Sequence, residues 1–318
     1  MKAISLISGG LDSELAAELV RRQSIEVVGL HFTTPFYLPI KKEKTNYELK
    51  EVFLTEEYLE IVKSPKYGYG KNLNPCIDCK ILMLKKAKEL MPKLGALFVV
   101  TGEVLGQRPM SQNLPTLKLI EKESGLEGYI VRPLSAKLLP ESIPEKKGWV
   151  DRNKFLAISG RSRKEQLKLA KDYNIQNFSQ PAGGCLLTDP AFSCRLKDLL
   201  EHSKDKKLSL EDVELLKIGR HFRISANFKV IVGRNQQENE KLRSFVKPPY
   251  IYVEPKDTVG PSGLGVGSFT KEELELFLNI VATYCDGTSE FVTISLYPEN
   301  TICTAKRINK IILEKYRL

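Results

Sequence analysis

The segment Ile7-Ser8-Gly9-Gly10-Leu11-Asp12-Ser13 constrains this chain more than any other stretch, because it puts a glycine pair and hydroxyls at a strand-to-helix turn. Lys2 to Ile7 is a short apolar run that reads as a buried parallel strand. Glu14 to Arg22 then opens an amphipathic helix with Leu15, Ala16, Leu19 and Val20 on one side. Between them Gly9 and Gly10 let the backbone approach an oxyanion, while Ser8 and Ser13 add hydroxyl donors. The helix N-terminus contributes free N–H groups and a favourable dipole, and the set suits a pyrophosphate. No Gly-Lys-Ser/Thr follows, so this is not a Walker loop. No G-x-G-x-x-G follows either, so it is not a dinucleotide fingerprint.

Strand and helix patterns alternate through the first half. Ile25 to Phe32 and Leu97 to Thr101 are β-rich, and Pro75 to Leu94 between them reads as a long helix. This predicts an α/β fold, a parallel sheet with helices on both faces and a ligand site at the carboxyl ends of the strands. Ser8–Ser13, His31-Phe32-Thr33 and Thr101-Gly102-Glu103 then border one crevice. After a helix over Ala191 to Lys207 the pattern changes. Phe228 to Val232, Tyr250 to Val253 and Phe291 to Ser295 read as strands, Lys271 to Tyr284 and Lys306 to Lys315 as helices, and the glycine-rich Thr258 to Ser268 as a loop. The expected division is a domain over 1–205 and a smaller α+β domain over 206–318.

The formal net charge is +10, from 49 Lys and Arg against 39 Asp and Glu. Residues 201–318 hold 18 against 16, which leaves 31 against 23 before them, so the excess is +8 and then +2. A basic balance favours a polyanionic partner, and equally fits a lysine-rich solvated surface. No apolar run approaches the ~18 residues of a membrane span, and the N-terminus enters a strand directly, so the expected location is cytoplasmic with no membrane partner.

Asn74-Pro75-Cys76-Ile77-Asp78-Cys79-Lys80 stands at the start of the long helix, where the dipole favours thiolates. Two cysteines at this spacing ligate one metal or exchange with each other. A zinc site needs two more ligands, and the chain has three His and no second C-x-x-C. Cys185, in the glycine-bearing run Gln180 to Pro190, is the candidate third thiol. Three thiolates suit a four-iron four-sulfur cluster with one iron open. Cys194, Cys285 and Cys303 lie in no motif and read as packing residues.

Loop and thiols together make residues 1–200 resemble the tRNA-thiolating branch of the PP-loop family, the N-type ATP pyrophosphatases with an adenine nucleotide alpha hydrolase-like fold. Thr101-Gly102-Glu103-Val104-Leu105-Gly106-Gln107, Ser111-Gln112 and Val131-Arg132-Pro133-Leu134 resemble the tRNA 4-thiouridine synthases. Asn74-Pro75-Cys76 with Cys79 resembles the tRNA 2-thiouridylases. From about residue 210, Val230-Ile231-Val232-Gly233-Arg234-Asn235 and Glu238-Asn239 resemble the RNA-binding module of NFACT proteins. The resemblance implies ATP-dependent tRNA thiolation, in which a uridine carbonyl oxygen attacks the α-phosphorus of ATP and sulfur then displaces AMP. Ser8, Gly9, Gly10 and Ser13 would hold the pyrophosphate, with Asp12 orienting the loop and a Mg²⁺. His31, Phe32, Thr101 and Gly102 would border the adenosine, and Gln107 and Arg108 would meet phosphate or the uridine. Sulfur would arrive from a cysteine desulfurase or free sulfide. It would be carried by a cluster on Cys76, Cys79 and Cys185, or by a persulfide on Cys185.

Arg161, Arg163, Lys164 and Lys168 suit a track for the backbone of tRNA or another structured RNA, or else form a solvated helix face. Arg220, His221, Arg223, Lys229 and Arg234 with Phe222 and Phe228 mix basic and aromatic residues as single-strand and stem-loop binders do. Competing readings are a PP-loop ligase that needs no cysteines, a tRNA desulfurising enzyme, and a non-catalytic RNA-binding protein that senses ATP.

Overall fold

The computed structural model describes residues 1–37, 45–176, 178, 184–203 and 207–318. The chain divides into two units, Met1–Thr188 and Asp189–Leu318. The boundary expected near residue 205 and the run Gln180 to Gly183 lie outside the described residues. Among the described residues no helix is long and apolar enough to cross a membrane.

The first unit contains β1 (Lys2–Leu6), α1 (Leu11–Arg21), β2 (Glu26–Thr33), β3 (Glu48–Phe53), α2 (Glu56–Lys63), α3 (Cys76–Leu94), β4 (Phe98–Val100), α4 (Leu114–Ser124), β5 (Ile130–Val131), α5 (Ile143–Lys146) and α6 (Lys164–Asp172). Its five strands are all parallel, in the order β3-β2-β1-β4-β5. Ala3, Ile4 and Leu6 of β1 and Val27, Val28 and Leu30 of β2 are all buried, as expected of central strands covered on both faces. Helices form two groups, α1 with α6 and α3 with α2 and α4, and these take the two faces. The strand order reverses between β1 and β4, so the turns leaving these strands flank a topological switch point.

The second unit runs α7 (Pro190–His202), α8 (Leu210–Leu216), β6 (Arg220–Ser225), β7 (Phe228–Val232), α9 (Gln236–Arg243), β8 (Ile251–Pro255), β9 (Gly263–Gly267), α10 (Lys271–Thr283), β10 (Phe291–Tyr297), β11 (Thr301–Lys306) and α11 (Lys310–Leu313). Six antiparallel strands stand in the order β11-β10-β8-β9-β7-β6, and α10 lies on the sheet through Phe277, Leu278, Val281 and Ala282. Two expectations fail here. Thr258 to Ser268 is not wholly loop, because Gly263–Gly267 is β9. Its glycines are needed for close packing, since a Cβ on Gly263 would lie 2.7 Å from the Phe277 ring and one on Gly265 2.9 Å from the Phe228 ring. Lys306 to Lys315 is not one helix, because β11 runs through Lys306 and only Lys310–Leu313 turns helical.

Candidate functional site at the switch point

The helix begins earlier than expected, at Leu11, so Asp12 and Ser13 lie in the first turn of α1. Ser13 folds the preceding loop onto itself. Its hydroxyl donates to Gly10 O at 2.7 Å and accepts from Ser8 N at 3.2 Å, with the Ser8 hydroxyl 3.3 Å away. Gly9 takes φ 74°, a left-handed value that favours glycine. Among the described residues no side chain caps α1, so its start can bind an anion even though Ser13 N already donates to Gly10 O at 3.1 Å. Gly102, just beyond β4, presses on this turn, and a Cβ there would stand 2.6 Å from Ser13 N. A larger residue would push the two strand ends apart.

His31 is fixed by Nδ1 against Ile7 O at 2.9 Å. Phe32, next along β2, is buried and points to the opposite face of the sheet. The Thr101 hydroxyl donates to Glu103 Oε2 at 3.0 Å. Glu103 is itself paired with Arg132 Nε at 3.0 Å, both side chains almost fully buried, and Lys80 stands 3.9 Å from its other oxygen. Arg132 also bonds Glu121 of α4. Burial pushes the Glu103 carboxyl up, but Lys80 and Arg132 overcome this and hold it below the usual carboxylate range. This knot ties the ends of β4 and β5 to α3 and α4. Its signal was present in the sequence, as an acid and an arginine one residue or a few beyond successive strands.

The turn after β4 is closed by Gly106 N to Gln112 O at 2.7 Å and Gln112 N to Arg108 O at 2.8 Å. It presents Gln107, whose amide donates to Asp12 Oδ2 at 2.8 Å. Asp12 Oδ1 and Gln107 Oε1 are both buried and make no hydrogen bond among the described residues. Two unpartnered oxygen acceptors on residues that bond each other are the kind of hard donor Mg²⁺ takes.

Cys185 is brought in from far along the chain by two anchors. Tyr37, just after β2, pairs with Cys185 as an antiparallel bridge, and Leu186 N donates to Phe36 O at 2.8 Å. Asn72 Nδ2 holds Thr188 O at 2.7 Å, immediately before the first cysteine motif. Asp78, between the two cysteines, accepts from Lys66 N and Tyr67 N and fixes the approach to α3. All three thiols are free. Burial pushes Cys79 up to about 11 and Cys185 up to about 12, and raises Cys76. Beyond burial, Cys185 feels Cys79 and Cys76, while Arg108 favours the thiolates of Cys76 and Cys185. The buried phenols of Tyr37 and Tyr58 complete this group, both held well above the usual range by burial and by the Cys79 and Cys185 thiols. Sequence reasoning missed both tyrosines, which carry no motif. Among the described residues no three His, Cys, Asp or Glu side chains stand where one metal ion would bind them all. Cys285 and Cys303 pack against the second core, but Cys194 is exposed and is not a packing residue.

Of the basic residues, Arg161, Lys164 and Lys168 are exposed in the first unit and make no ion pair with a described residue, while the Arg163 Nε is buried without a hydrogen bond to a described residue. In the second unit Arg223 is held bidentate by Asp198 at 2.8 and 2.7 Å, and the buried Lys229 joins the same carboxylate at 3.1 Å. Arg234 pairs with Glu238, and Arg220 donates to Gly233 O at 2.9 Å. Phe222, Phe228 and His221 are core residues, so the expected stacking surface cannot include these two rings.

Residues 1–137 match the family described as Thiamine biosynthesis protein (ThiI), and residues 219–317 the family described as NFACT protein RNA binding domain. Similar proteins include a "Probable tRNA sulfurtransferase" of Thermococcus kodakarensis, 32% identical over 142 residues, covering 42% of this chain and 36% of that protein. Another of the same description, from Methanocaldococcus jannaschii, is 31% identical over 147 residues, with shares of 42% and 36%. A solved 4-thiouridine synthetase–RNA complex with bound ATP aligns at 19% identity and a TM-score of 0.37, over 68% of this chain and 52% of that one. The chain spans about a third of the length of the curated relatives it matches. Residues 1–137 are therefore similar to the ThiI family, and residues 219–317 to the NFACT RNA-binding family.

Proposed function

We propose that this chain is an ATP-dependent tRNA-thiolating enzyme. One observation carries the reading: consecutive residues of one turn serve two chemistries, Gln107 bonding Asp12 of the glycine loop while the charge of Arg108 acts on Cys76 and Cys185. A phosphate-binding loop alone fits any PP-loop ligase. A loop coupled at this range to three free thiols fits activation followed by sulfur transfer.

In this reading the pyrophosphate of ATP lies on Ser8, Gly9, Gly10, Ser13 and the uncapped N–H groups of α1. His31 and Gly102 border the adenosine, with Phe32 and Thr101 buried at the same strand ends. The uridine carbonyl oxygen attacks the α-phosphorus, and pyrophosphate leaves with the bonding pair. Sulfur then attacks the same ring carbon, AMP departs and a C=S bond replaces C=O. Asp12, oriented by Gln107, would hold Mg²⁺, which offsets charge on the leaving group when bound. Cys76, Cys79 and Cys185, three free thiols close enough for Cys76 and Cys79 to act on Cys185, would hold a four-iron four-sulfur cluster. When bound, the cluster supplies an open iron for sulfide. Arg161, Lys164 and Lys168 serve the tRNA backbone, as their unpaired exposed charges allow.

Pyrophosphate release by the full-length protein, with ATP and bulk tRNA, tests this. Release should require RNA, and Asp12→Ala should lower it about 10²–10³-fold, the usual loss of one electrostatic group of a reaction site. Wild-type release by a folded Asp12→Ala variant overturns the assignment. Anaerobic iron analysis separates the cluster from a Cys185 persulfide, because only the cluster binds iron, and each single Cys→Ala change should lose it.

A further inference from the structure

The second unit holds a cavity of about 540 Å³ between the turn after β7, the start of α9 and the 258–262 loop. That is within the ~300–1,000 Å³ of typical small-ligand sites. Its walls are cross-braced. Gly233 N donates to Ser262 O at 3.0 Å, and Ser262 N donates to Asn239 Oδ1 at 3.1 Å. Glu238 accepts from Arg234 N at 2.8 Å and Gly219 N at 3.2 Å. A site held this way is formed before anything binds it.

Its chemistry selects the ligand. Arg220 and Arg234 are balanced in the lining by Glu254 and Asp286, so the cavity carries no net charge and is poorly suited to a bare phosphate. The Arg220 guanidinium lies over the Tyr284 ring, 4.8 Å from its centre, and Lys310 Nζ stands 5.4 Å from the same centre, so the planar group left for stacking is the guanidinium, which Tyr284 backs. Asn235 uses Oδ1 to cap α9 at Glu238 N, which leaves its amide donors, and Gln236 gives Nε2 to Glu240, which leaves its acceptor. A flat surface beside one amide donor and one amide acceptor matches the face and edge of a nucleobase. We infer that this cavity takes one unpaired RNA base, stacked on the Arg220 guanidinium that Tyr284 backs and read along its edge by Asn235 and Gln236. The inference rests on the RNA-binding reading of this domain and adds to it the form of RNA: single-stranded at the point of contact.

The test uses full-length protein with a single-stranded oligoribonucleotide containing 5-iodouridine and with its blunt duplex. Irradiation of the single strand should cross-link a peptide that lines the cavity, around Arg220 to Gln236 or Thr258 to Asp286. Arg220→Lys, which keeps the charge but loses the stacking plane, and Gln236→Ala, on the exposed start of α9, should leave duplex affinity unchanged. Arg220→Lys should weaken single-strand binding about tenfold, within the range for one stacked base. A wild-type protein that binds RNA but cross-links only elsewhere, with Arg220→Lys binding as tightly as wild type, overturns the cavity assignment alone. A wild-type protein that binds neither RNA form overturns the RNA-binding reading beneath it.

Discussion

The two units place similar residues in opposite circumstances. Around the switch point of the first, polar groups are buried with capacity to spare: Asp12 Oδ1, Gln107 Oε1 and Gln112 Oε1 lack partners among the described residues, and three free thiols act on one another with the charge of Arg108 on two of them. In the second, the charged residues that look most available in sequence are tied down. Arg223 and Lys229 both close on Asp198, and Arg234 closes on Glu238. Unsatisfied buried polar atoms are costly, and their concentration at one strand-end turn marks a place built around something other than stability. Satisfied pairs mark the reverse.

That contrast is best broken by treating one aspartate in each unit alike. Asp12→Asn should cut RNA-dependent pyrophosphate release about 10²–10³-fold and leave the urea midpoint near wild type. Asp198→Asn should do the opposite, costing about 3–5 kcal/mol of stability by stranding a buried lysine and an arginine. Urea titrations of both full-length variants decide this, and an unmoved midpoint for Asp198→Asn would erase the distinction. The pH dependence follows. Burial raises the Asp198 carboxyl, but Arg223 and Lys229 prevail and hold it below the usual range. A carboxylate depressed in the folded state contributes stability that is complete above its unfolded pKa and is lost as pH falls through the folded one. Wild type should therefore lose stability through the acid range below about pH 4, while Asp198→Asn loses less there.

Smaller effects sharpen the same comparison. Gln107→Leu removes the partner of the half-buried Asp12 carboxylate and should slow pyrophosphate release about tenfold, in line with a hydrogen bond to a charged group. An equal rate would mean that the Asp12–Gln107 contact does not orient the loop. Smallest is the salt response of RNA binding. Arg161→Gln should reduce the slope of log K against log salt by about 0.7–0.9, one phosphate contact, and Arg223→Gln should leave it unchanged. Filter binding at several salt concentrations measures both, and equal losses would show that Asp198 does not withhold Arg223 from RNA.

Much of the first unit was legible in the sequence because local pattern and topology agree there. β1, β2, β4 and α3 follow from apolar runs and their punctuation, and parallel order then brings Ser8–Ser13 beside Thr101–Glu103. What local pattern could not show was set by tertiary packing. The helix start at Leu11 depends on Ser13 closing on Gly10, and β9 is glycine-rich because the rings of Phe228 and Phe277 lie across it. The approach of Cys185 to Cys76 and Cys79 was inferred from chemistry, while its physical means, pairing with Tyr37 and the Asn72 anchor, has no sequence signature. In the second unit residue type revealed which side chains were basic or aromatic. It did not reveal that Phe222 and Phe228 are core, or that Arg223 is already paired.

In the proposed reaction the glycine loop and the three thiols act in sequence on one RNA base. Nucleoside mass spectrometry of tRNA incubated anaerobically with iron-reconstituted full-length protein, ATP and sulfide tests it most directly, with wild type and Cys185→Ala side by side. Wild type should give a thionucleoside that requires ATP, and Cys185→Ala should continue to release pyrophosphate with no thionucleoside. Thionucleoside formation by Cys185→Ala at the wild-type rate, or pyrophosphate release by wild type with no thionucleoside at all, would contradict it.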